Sequence, residues 1–281
     1  MGNLRFAAAI LFVAACGSDH ANTPDAAVDA PKMIDAKVFM DAPPPTYDFS
    51  CYNATPGTTV DATITITGTV GELSQTGLTG LGGLPVSAFK VGSNTAAATG
   101  TTAATGTVGE FSLGPITSSG VAIQYVKAQD TGTTYRTTYL YPPNPIRASF
   151  DGLPVPMIDQ ALVDQLGLLG TQDDSQNGLI FIAVNDCSTT MPQAIDGASV
   201  KVTQGSSPAV DVGDVIDLGQ FIPEAAGTFI VMNVPDGDTE VSASYNGMNF
   251  PTHTVGAFKK PGGPNAMGTV TATAIPPGPI N

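Results

Sequence analysis

The sequence predicts an all-β protein built from two antiparallel β-sandwich modules. Three observations lead to this fold class. Apolar and hydroxyl residues alternate along several short stretches, of which residues 62–67 are the clearest, and a period of two is typical of half-buried strands. The chain contains 32 glycines and 23 prolines, and only 12% of its residues are charged, which disfavours a helix-rich fold. Its 281 residues are also too many for one small β-domain and suit two.

The net charge excludes two kinds of partner. Ten Lys and Arg residues stand against 24 Asp and Glu residues, which gives a formal charge of −14 at pH 7 and an isoelectric point near 4.1. A chain this acidic cannot neutralise a run of phosphates, so no nucleic acid partner is expected. For the same reason, electrostatic docking on an anionic lipid surface is not expected.

The first residues predict export and lipidation. Residues 1–15 carry one positive charge, Arg5, followed by an apolar run that is too short to span a membrane, which is the layout of a signal peptide. Residues 13–17 (VAACG) resemble the bacterial lipobox, in which small residues precede the cysteine that receives the lipid. The resemblance implies that the mature chain begins at Cys16 and is anchored by several acyl chains such as palmitate. The alternative is an ordinary signal peptide with a chance cysteine.

Residues 16–57 are predicted to be the lipidated cysteine and an extended tether. The segment is rich in Ala, Asp and Pro, and its carboxylates recur at near-regular intervals, as at Asp25, Asp29 and Asp35. Like charges repel and the apolar residues show little periodicity, so the segment should be solvated. A short amphipathic helix over residues 32–40 is the alternative.

The first module, residues 58–150, is predicted from strand patterns separated by Gly, Ser, Thr and Asn clusters. After the strand at 62–67, these patterns lie at residues 84–91, 110–113, 121–128 and 134–140. The Ala/Thr/Gly-rich stretch 94–107 is either a long loop or a weak edge strand. Several short strands at this spacing favour an antiparallel sandwich.

A linker and a second module follow. Residues 151–176 are predicted to contain one short helix, because apolar residues recur at three- and four-residue steps between 156 and 169. Residues 177–276 form the second module, and residues 277–281 are a tail. Its strand patterns lie at residues 179–184, 198–202, 228–232, 239–245, 252–258 and 268–275.

Three segments of the second module resemble the carboxypeptidase regulatory-like family. They are residues 197–202 (GASVKV), 227–237 (GTFIVMNVPDG) and 241–247 (VSASYNG). Members of this family have a transthyretin-like (prealbumin-like) β-sandwich, so the resemblance implies that fold. Phe229 is then the core aromatic residue.

The turn between the last two of these segments has a clear physical basis. Pro235 fixes one φ angle and Gly237 permits a positive one, which together favour a tight turn. The first module is a weaker match, through residues 84–88 and 109–113, and it lacks this Pro-x-Gly turn.

Two cysteines remain once Cys16 carries lipid. An even remainder in an exported chain predicts one disulfide, between Cys51 and Cys187. This disulfide would hold the two modules at a fixed angle. The alternative is two unpaired thiols.

The sequence suggests no catalytic residue, metal site or cofactor. Of its two histidines, His20 lies in the tether and His253 on a predicted strand, and neither belongs to a nucleophile motif or a zinc cluster. Two acidic loops could offer oxygen ligands to calcium, although neither has EF-hand spacing. These loops contain Asp211, Asp214 and Asp217, and Asp236, Asp238 and Glu240.

Together these features predict a non-enzymatic lipoprotein of the bacterial cell envelope that displays two modules in a structural, adhesive or partner-recognition role. The expected partner is a protein or a glycan, with Tyr135, Tyr139 and Tyr141 as exposed contact groups. The alternative for these tyrosines is that they only cover strands. The alternative function is a periplasmic ligand-binding or accessory subunit of an envelope enzyme or transporter. Gly17 after the cysteine favours the outer membrane.

Overall fold

A computed structural model describes residues 46–74, 77–167, 170–188, 192–205, 208–221, 225–262 and 267–279. The expected signal peptide, Cys16 and the tether up to residue 45 lie outside these ranges. Within them, no helix has the length and apolar character needed to cross a membrane.

The described chain folds mostly into strands, so the all-β class is confirmed. The first half contains eight strands: β1 (Thr63–Ser74), β2 (Gly77–Gly80), β3 (Pro85–Lys90), β4 (Ala96–Thr101), β5 (Glu110–Thr117), β6 (Ile123–Ala128), β7 (Thr137–Tyr141) and β8 (Phe150–Met157). One short helix follows in the described chain, α1 (Gln160–Leu166). The Asp159 side chain caps it by accepting a hydrogen bond from the Ala161 N–H at 2.9 Å.

The second half contains nine described strands and a 3₁₀ turn at Leu218–Gln220. The strands are β9 (Asn177–Val184), β10 (Ser199–Gln204), β11 (Val210–Asp211), β12 (Asp214–Asp217), β13 (Thr228–Pro235), β14 (Gly237–Tyr245), β15 (Met248–Asn249), β16 (His253–Ala257) and β17 (Thr269–Ile275).

Eight strands from both halves form one long sheet, in the order β12-β13-β9-β17-β7-β6-β3-β4. Strand β17 lies in the middle and runs parallel to both neighbours, so that Thr271 pairs with Tyr139 of β7 and with Ile180 of β9. The two predicted modules therefore share a sheet. The prediction of purely antiparallel sheets is wrong here and at the parallel pair of β1 and β8. Strand β17 follows β16, which belongs to another sheet, and a strand that arrives by a crossover can pair in parallel.

Two smaller sheets pack on opposite faces of the long sheet. The first small sheet has the order β2-β1-β5, with β8 also paired to β1; the second has the order β11-β10-β14-β15, with β16 also paired to β14. On β6, Val126 points into a core shared with Ile66 of β1, which we call the first core. The adjacent Tyr125 belongs to a core shared with Val241 of β14, which we call the second core. Because neighbouring side chains on a strand point to opposite faces, the two cores lie on opposite sides of the long sheet.

A third cluster covers the remaining face of the second half. Val163 of α1 packs there with Leu179 of β9 and Met232 of β13. Strands β9 and β13 are therefore covered on both faces, by the second small sheet and by the helix. Phe229 is 3% exposed and lies in the second core, where the family resemblance put it.

One segment differs from its prediction, and another follows one of its two predicted alternatives. The stretch expected to open the linker begins with β8, which contains Pro154 and Pro156, and α1 occupies only the later part of the helical pattern. Strand β8 is an edge strand with β1 as its one partner, and an edge tolerates proline because one side needs no donor. The stretch 94–107 contains β4, the edge strand that was one of its two alternatives.

A buried ion pair connects three segments beside β17. Arg136, 1% exposed, donates through Nη1 and Nη2 to the two carboxylate oxygens of Asp174 at 2.8 and 2.6 Å. Its Nε donates to Oε1 of Gln160 on α1 at 2.9 Å. A side chain at Gly268 would collide with both Arg136 and Asp174, so the approach to β17 depends on glycine.

Replacing Arg136 with Met should lower the free energy of unfolding by about 3 kcal/mol, because Asp174 would keep a partly desolvated charge without its partner. Lys201→Met is a matched control, since Lys201 and Asp211 pair at 3.1 Å with side chains 65% and 74% exposed. That substitution should change stability by less than about 0.5 kcal/mol. Urea unfolding measures both, and equal losses would contradict the structural role of Arg136.

Candidate functional site

The first described segment of the chain is covalently attached to the second half. We call residues 46–54 the N-terminal arm. Cys51 of the arm forms a disulfide with Cys187, which follows β9 by three residues, and their Cα atoms are 5.5 Å apart. The predicted pairing is therefore present in the structure. Since Cys51 belongs to the arm, the disulfide joins the arm to the middle of the long sheet.

Hydrogen bonds place the arm beside this disulfide. The Cys187 N–H donates to the Asp48 carbonyl oxygen at 2.8 Å. The Asp48 N–H donates to the carboxylate of Asp186 at 3.0 Å. Asp186 is 1% exposed, and its other oxygen accepts from the Gln193 N–H at 2.9 Å. Each charged or polar group of this contact thus has a partner, which buried groups require.

Aromatic side chains extend the contact along the arm. Phe49 stacks on Tyr245 at the end of β14 with a centroid distance of 5.8 Å, and Tyr47 meets the same ring edge-on at 5.6 Å. The Tyr47 hydroxyl accepts a hydrogen bond from the Asp196 N–H at 2.9 Å. Burial raises the pKa of Tyr47. Aromatic pairs of this geometry add stability beyond the area that they bury.

The C-terminal segment lies against the same attachment. Gly278 approaches the Cys51 carbonyl so closely that a Cβ atom would overlap it. The first and last described segments therefore meet next to the disulfide. The predicted tether, residues 16–57, includes the arm, and its contact with the folded body was not predicted. The available signal was the pair of aromatic residues, Tyr47 and Phe49, just before Cys51.

The three tyrosines expected to be exposed contacts are covered to different degrees. Tyr141 is 5% exposed and stacks on Tyr125 at 4.9 Å, so the prediction that it is exposed is wrong. Tyr139 is half-buried and stacks on Phe258 at 3.9 Å. Tyr135 is half-buried and donates to the carboxylate of Glu72 at 3.0 Å. Tyr141 points inward because it sits on β7 and faces the second core, a direction that its place before Pro142 did not reveal.

These environments keep the phenols protonated. Burial raises the pKa of Tyr139 to about 12. Burial, followed by the hydrogen bond to Glu72, raises the pKa of Tyr135 to about 12. Both side chains therefore act as neutral hydrogen-bonding and apolar groups at physiological pH.

His253 is held in a structural position. It begins β16, where it pairs with Val241, and its ring N–H donates to the Pro143 carbonyl oxygen. Its Nε2 atom is buried and has no hydrogen-bond partner among the described residues. Burial lowers the pKa of His253. The ring thus connects the loop after β7 to the second small sheet as a neutral group.

The acidic loops are dispersed in the structure. Asp211 pairs with Lys201, Asp217 caps the 3₁₀ turn by accepting from the Gly219 N–H at 2.9 Å, and Asp236 pairs with Lys259 at 3.7 Å. Among the described residues, no three His, Cys, Asp or Glu side chains converge as metal ligands would.

One shallow depression lies on the outer face of the second small sheet. Its volume is about 460 Å³, and it is lined by polar groups that include Ser199, Lys201, Ser242, Ser244 and Asn249. The Ser199 and Ser244 hydroxyls are 2.8 Å apart and hydrogen-bonded. The depression is wide and open, unlike the enclosed apolar pockets that usually hold small ligands.

Comparisons with known proteins give only distant similarities. No protein-family model and no curated protein matches the sequence. Among solved structures, the chain is similar to the shaft pilin SpaA from Lactobacillus rhamnosus GG, with 12% identity, coverage of 78% of this chain and 99% of that one, and a TM-score of 0.24. For a streptococcal ancillary pilin, the identity is 12%, the coverages are 76% and 62%, and the TM-score is 0.22. For the minor pilin of Streptococcus agalactiae, these values are 8%, 78% and 98%, and 0.23. These TM-scores are too low to support an argument about fold or function.

Replacing Cys51 and Cys187 together with Ser should lower the free energy of unfolding by about 2–4 kcal/mol, because the disulfide closes a long loop between residues with a sequence separation of 136. Urea unfolding under non-reducing conditions measures the loss. Tyr47→Phe is the control for the noncovalent contact of the arm and should cost about 1 kcal/mol, the value of one hydrogen bond. A double variant as stable as the wild type would show that the disulfide does not stabilise the body.

His253 should make the folded protein less stable at acidic pH. Its pKa is lower in the folded chain than in the unfolded one, so the unfolded chain binds the extra proton first as the pH falls below about 6.5. Its contribution is constant above that pH and declines below it. His253→Asn keeps a donor towards Pro143 but does not titrate, so the wild type should lose more stability than this variant between pH 7.5 and 5. Thermal melting at both pH values tests this, and identical losses would refute it.

Proposed function

We propose that this chain is a lipid-anchored protein of the bacterial cell envelope that displays a rigid β-sheet body in a structural or adhesive role. The observation that carries the proposal is the covalent attachment at Cys51, which lies 35 residues after Cys16. A chain anchored at Cys16 would be connected to the body at two points, through the backbone that leads to β1 and through the disulfide to the end of β9.

This arrangement suits a displayed protein. A pull on the tether would reach the long sheet at β9, where β13 and β17 hold the strand on both sides. The contacts of Tyr47 and Phe49 with Tyr245 would distribute the same pull onto the second small sheet. Acyl chains at Cys16 would supply stable membrane attachment, as one chain alone would not.

The resemblance to carboxypeptidase regulatory-like domains forms part of this proposal for residues 177–276. Its support is the buried Phe229 on β13 and the turn between β13 and β14 at Asp236, followed by Gly237 with a φ of 137°. A non-enzymatic role is supported by the one histidine of the described residues, His253, whose ring is occupied with Pro143 and the second small sheet rather than with a nucleophile.

The second candidate function is that of a periplasmic ligand-binding or accessory subunit. The observation that favours it is the polar depression on the second small sheet, with Lys201 and Asn249 among its lining groups. A subunit of this kind could carry the same lipid anchor but would face the periplasm.

Cys16→Ala should abolish incorporation of a palmitate analogue and move the protein from the membrane fraction to the soluble fraction. The Cys51→Ser/Cys187→Ser double variant is the matched control, because it removes two cysteines but should keep the label and the membrane association. Metabolic labelling and fractionation measure both. If Cys16→Ala stayed labelled and membrane-bound, lipid anchoring at this residue would be wrong.

Protease treatment of intact cells separates the two functions. Release of the body without lysis would place it on the outer face, as display requires. Protection in intact cells with cleavage after permeabilisation would favour the periplasmic subunit.

A further inference from the structure

One face of the long sheet is only partly covered in the first half of the chain. The first small sheet covers one face of β3, β6 and β7. On the opposite face, Tyr125 of β6 and Tyr141 of β7 are buried in the core under the second small sheet, and the exposed part of this face lies towards the edge strand β4. Register identifies the side chains that share the open face. Ser87 lies opposite Lys127, and Lys127 lies opposite Tyr139. We call the surface formed by six side chains on this side of β4, β3, β6 and β7 the open face: Ser87, Phe89, Thr99, Thr101, Lys127 and Tyr139.

Aromatic rings form the floor of the open face. Phe89 stacks on Tyr125 with a centroid distance of 4.6 Å, and Tyr125 in turn stacks on Tyr141. Phe89 is the last ring of this row, so its other ring face has no aromatic partner among the described residues. Phe258, which stacks on Tyr139, marks the border with the second small sheet.

Lys127 is the only cation on the open face, and it lacks an acidic partner. Its ammonium lies 5.5 Å from the centre of the Tyr139 ring. No carboxylate within the described ranges forms an ion pair with it, whereas Lys201, Lys259 and Arg136 each have one. Lys127 is half-buried, and this burial lowers the pKa of its ammonium. In a chain with a net charge of −14, an uncompensated and partly desolvated cation favours an anionic ligand at this point.

The remaining groups of the open face are hydroxyls. Ser87 of β3 lies opposite Thr99 of β4, and Thr101 follows on the same side of the edge strand. Thr99 and Thr101 are exposed. Hydroxyl groups both donate and accept hydrogen bonds, so this row complements a ligand that carries hydroxyls of its own.

We propose that the open face binds an acidic saccharide, with a sugar carboxylate at Lys127, a sugar ring against Phe89, and sugar hydroxyls along the Ser87–Thr99 row. An acidic peptide could supply the carboxylate but would make less use of the aromatic floor and the hydroxyl row together. The inference deepens the proposed display function by naming the class of partner, and it rests on that function for its biological setting.

The test is calorimetric titration of the purified full chain in detergent with a panel of defined acidic oligosaccharides: tetragalacturonate, a hyaluronan tetrasaccharide and sialyllactose. At least one should bind saturably, and binding should weaken as salt is added. The methyl ester of tetragalacturonate, which keeps the rings and hydroxyls but loses the charge, should bind about tenfold more weakly than the acid or not at all. Tetraglutamate is the peptide probe.

Variants then locate the site. Lys127→Met keeps an apolar stem of similar length and should weaken saccharide binding about tenfold or more. Lys90→Met is the matched control and should leave the affinity unchanged, because Lys90 lies on β3 but its ammonium donates to the Thr117 carbonyl oxygen of β5, on the other face of the long sheet. Urea unfolding confirms that each variant is folded, and Lys127→Gln replaces Lys127→Met if that variant is not.

The following outcomes would contradict the proposal. Absence of saturable binding by the whole panel would rule out the ligand class, and equal effects of the Lys127 and Lys90 variants would rule out the site. Binding of tetraglutamate alone would assign the surface to an acidic peptide instead. Because the titration does not depend on the membrane anchor, loss of this proposal would leave the labelling and protease results intact, and the reverse also holds.

Discussion

The parallel insertion of β17 between β7 and β9 is the constraint on which the rest of the fold depends. All seven residues of β17 are buried, and they supply the hydrogen bonds that join the two halves into one sheet. Threonines such as Thr271 and Thr273 face the second core, while Val270 faces the opposite side. Strands β7 and β9 would both end in unpaired edges without it, and a sheet leaves such edges uncovered only at a cost.

This shared sheet explains why the two halves differ in their surfaces. The small sheets cover opposite faces of the long sheet, so each half keeps one face for another purpose. In the second half that face is covered by α1, with Val163 against Leu179 and Met232. In the first half it carries Lys127 and the half-buried Phe89, and the cover given by the second small sheet ends before the edge strand β4. The same topology therefore also leaves, within the described part of the chain, an aromatic and cationic surface beside the edge strand β4.

Local patterns in the sequence predicted the strands well but not their partners. The period of two located β6 and β13, and counting the cysteines predicted Cys51–Cys187, because both signals depend on neighbouring residues or on simple parity. The position of β17 was not predictable in this way, since pairing with a strand more than a hundred positions earlier leaves no local trace. Tyr141 was misjudged for a related reason: its direction depends on which face of β7 meets the second core.

The order of the strands along the chain determines how far apart in sequence the paired strands lie. The disulfide closes between Cys51 and Cys187, so β7 and β9 both lie inside its loop, whereas β17 comes later in the sequence. The strand that joins the halves is thus the last of the described strands to be synthesised. Pairings this distant in sequence are slow to form, because the loop must close before contacts compensate for the lost entropy. The disulfide does not shorten the loop between β7 and β17, because Cys51 lies before β7, so the hydrogen bonds and buried side chains of β17 itself must compensate for closing that loop.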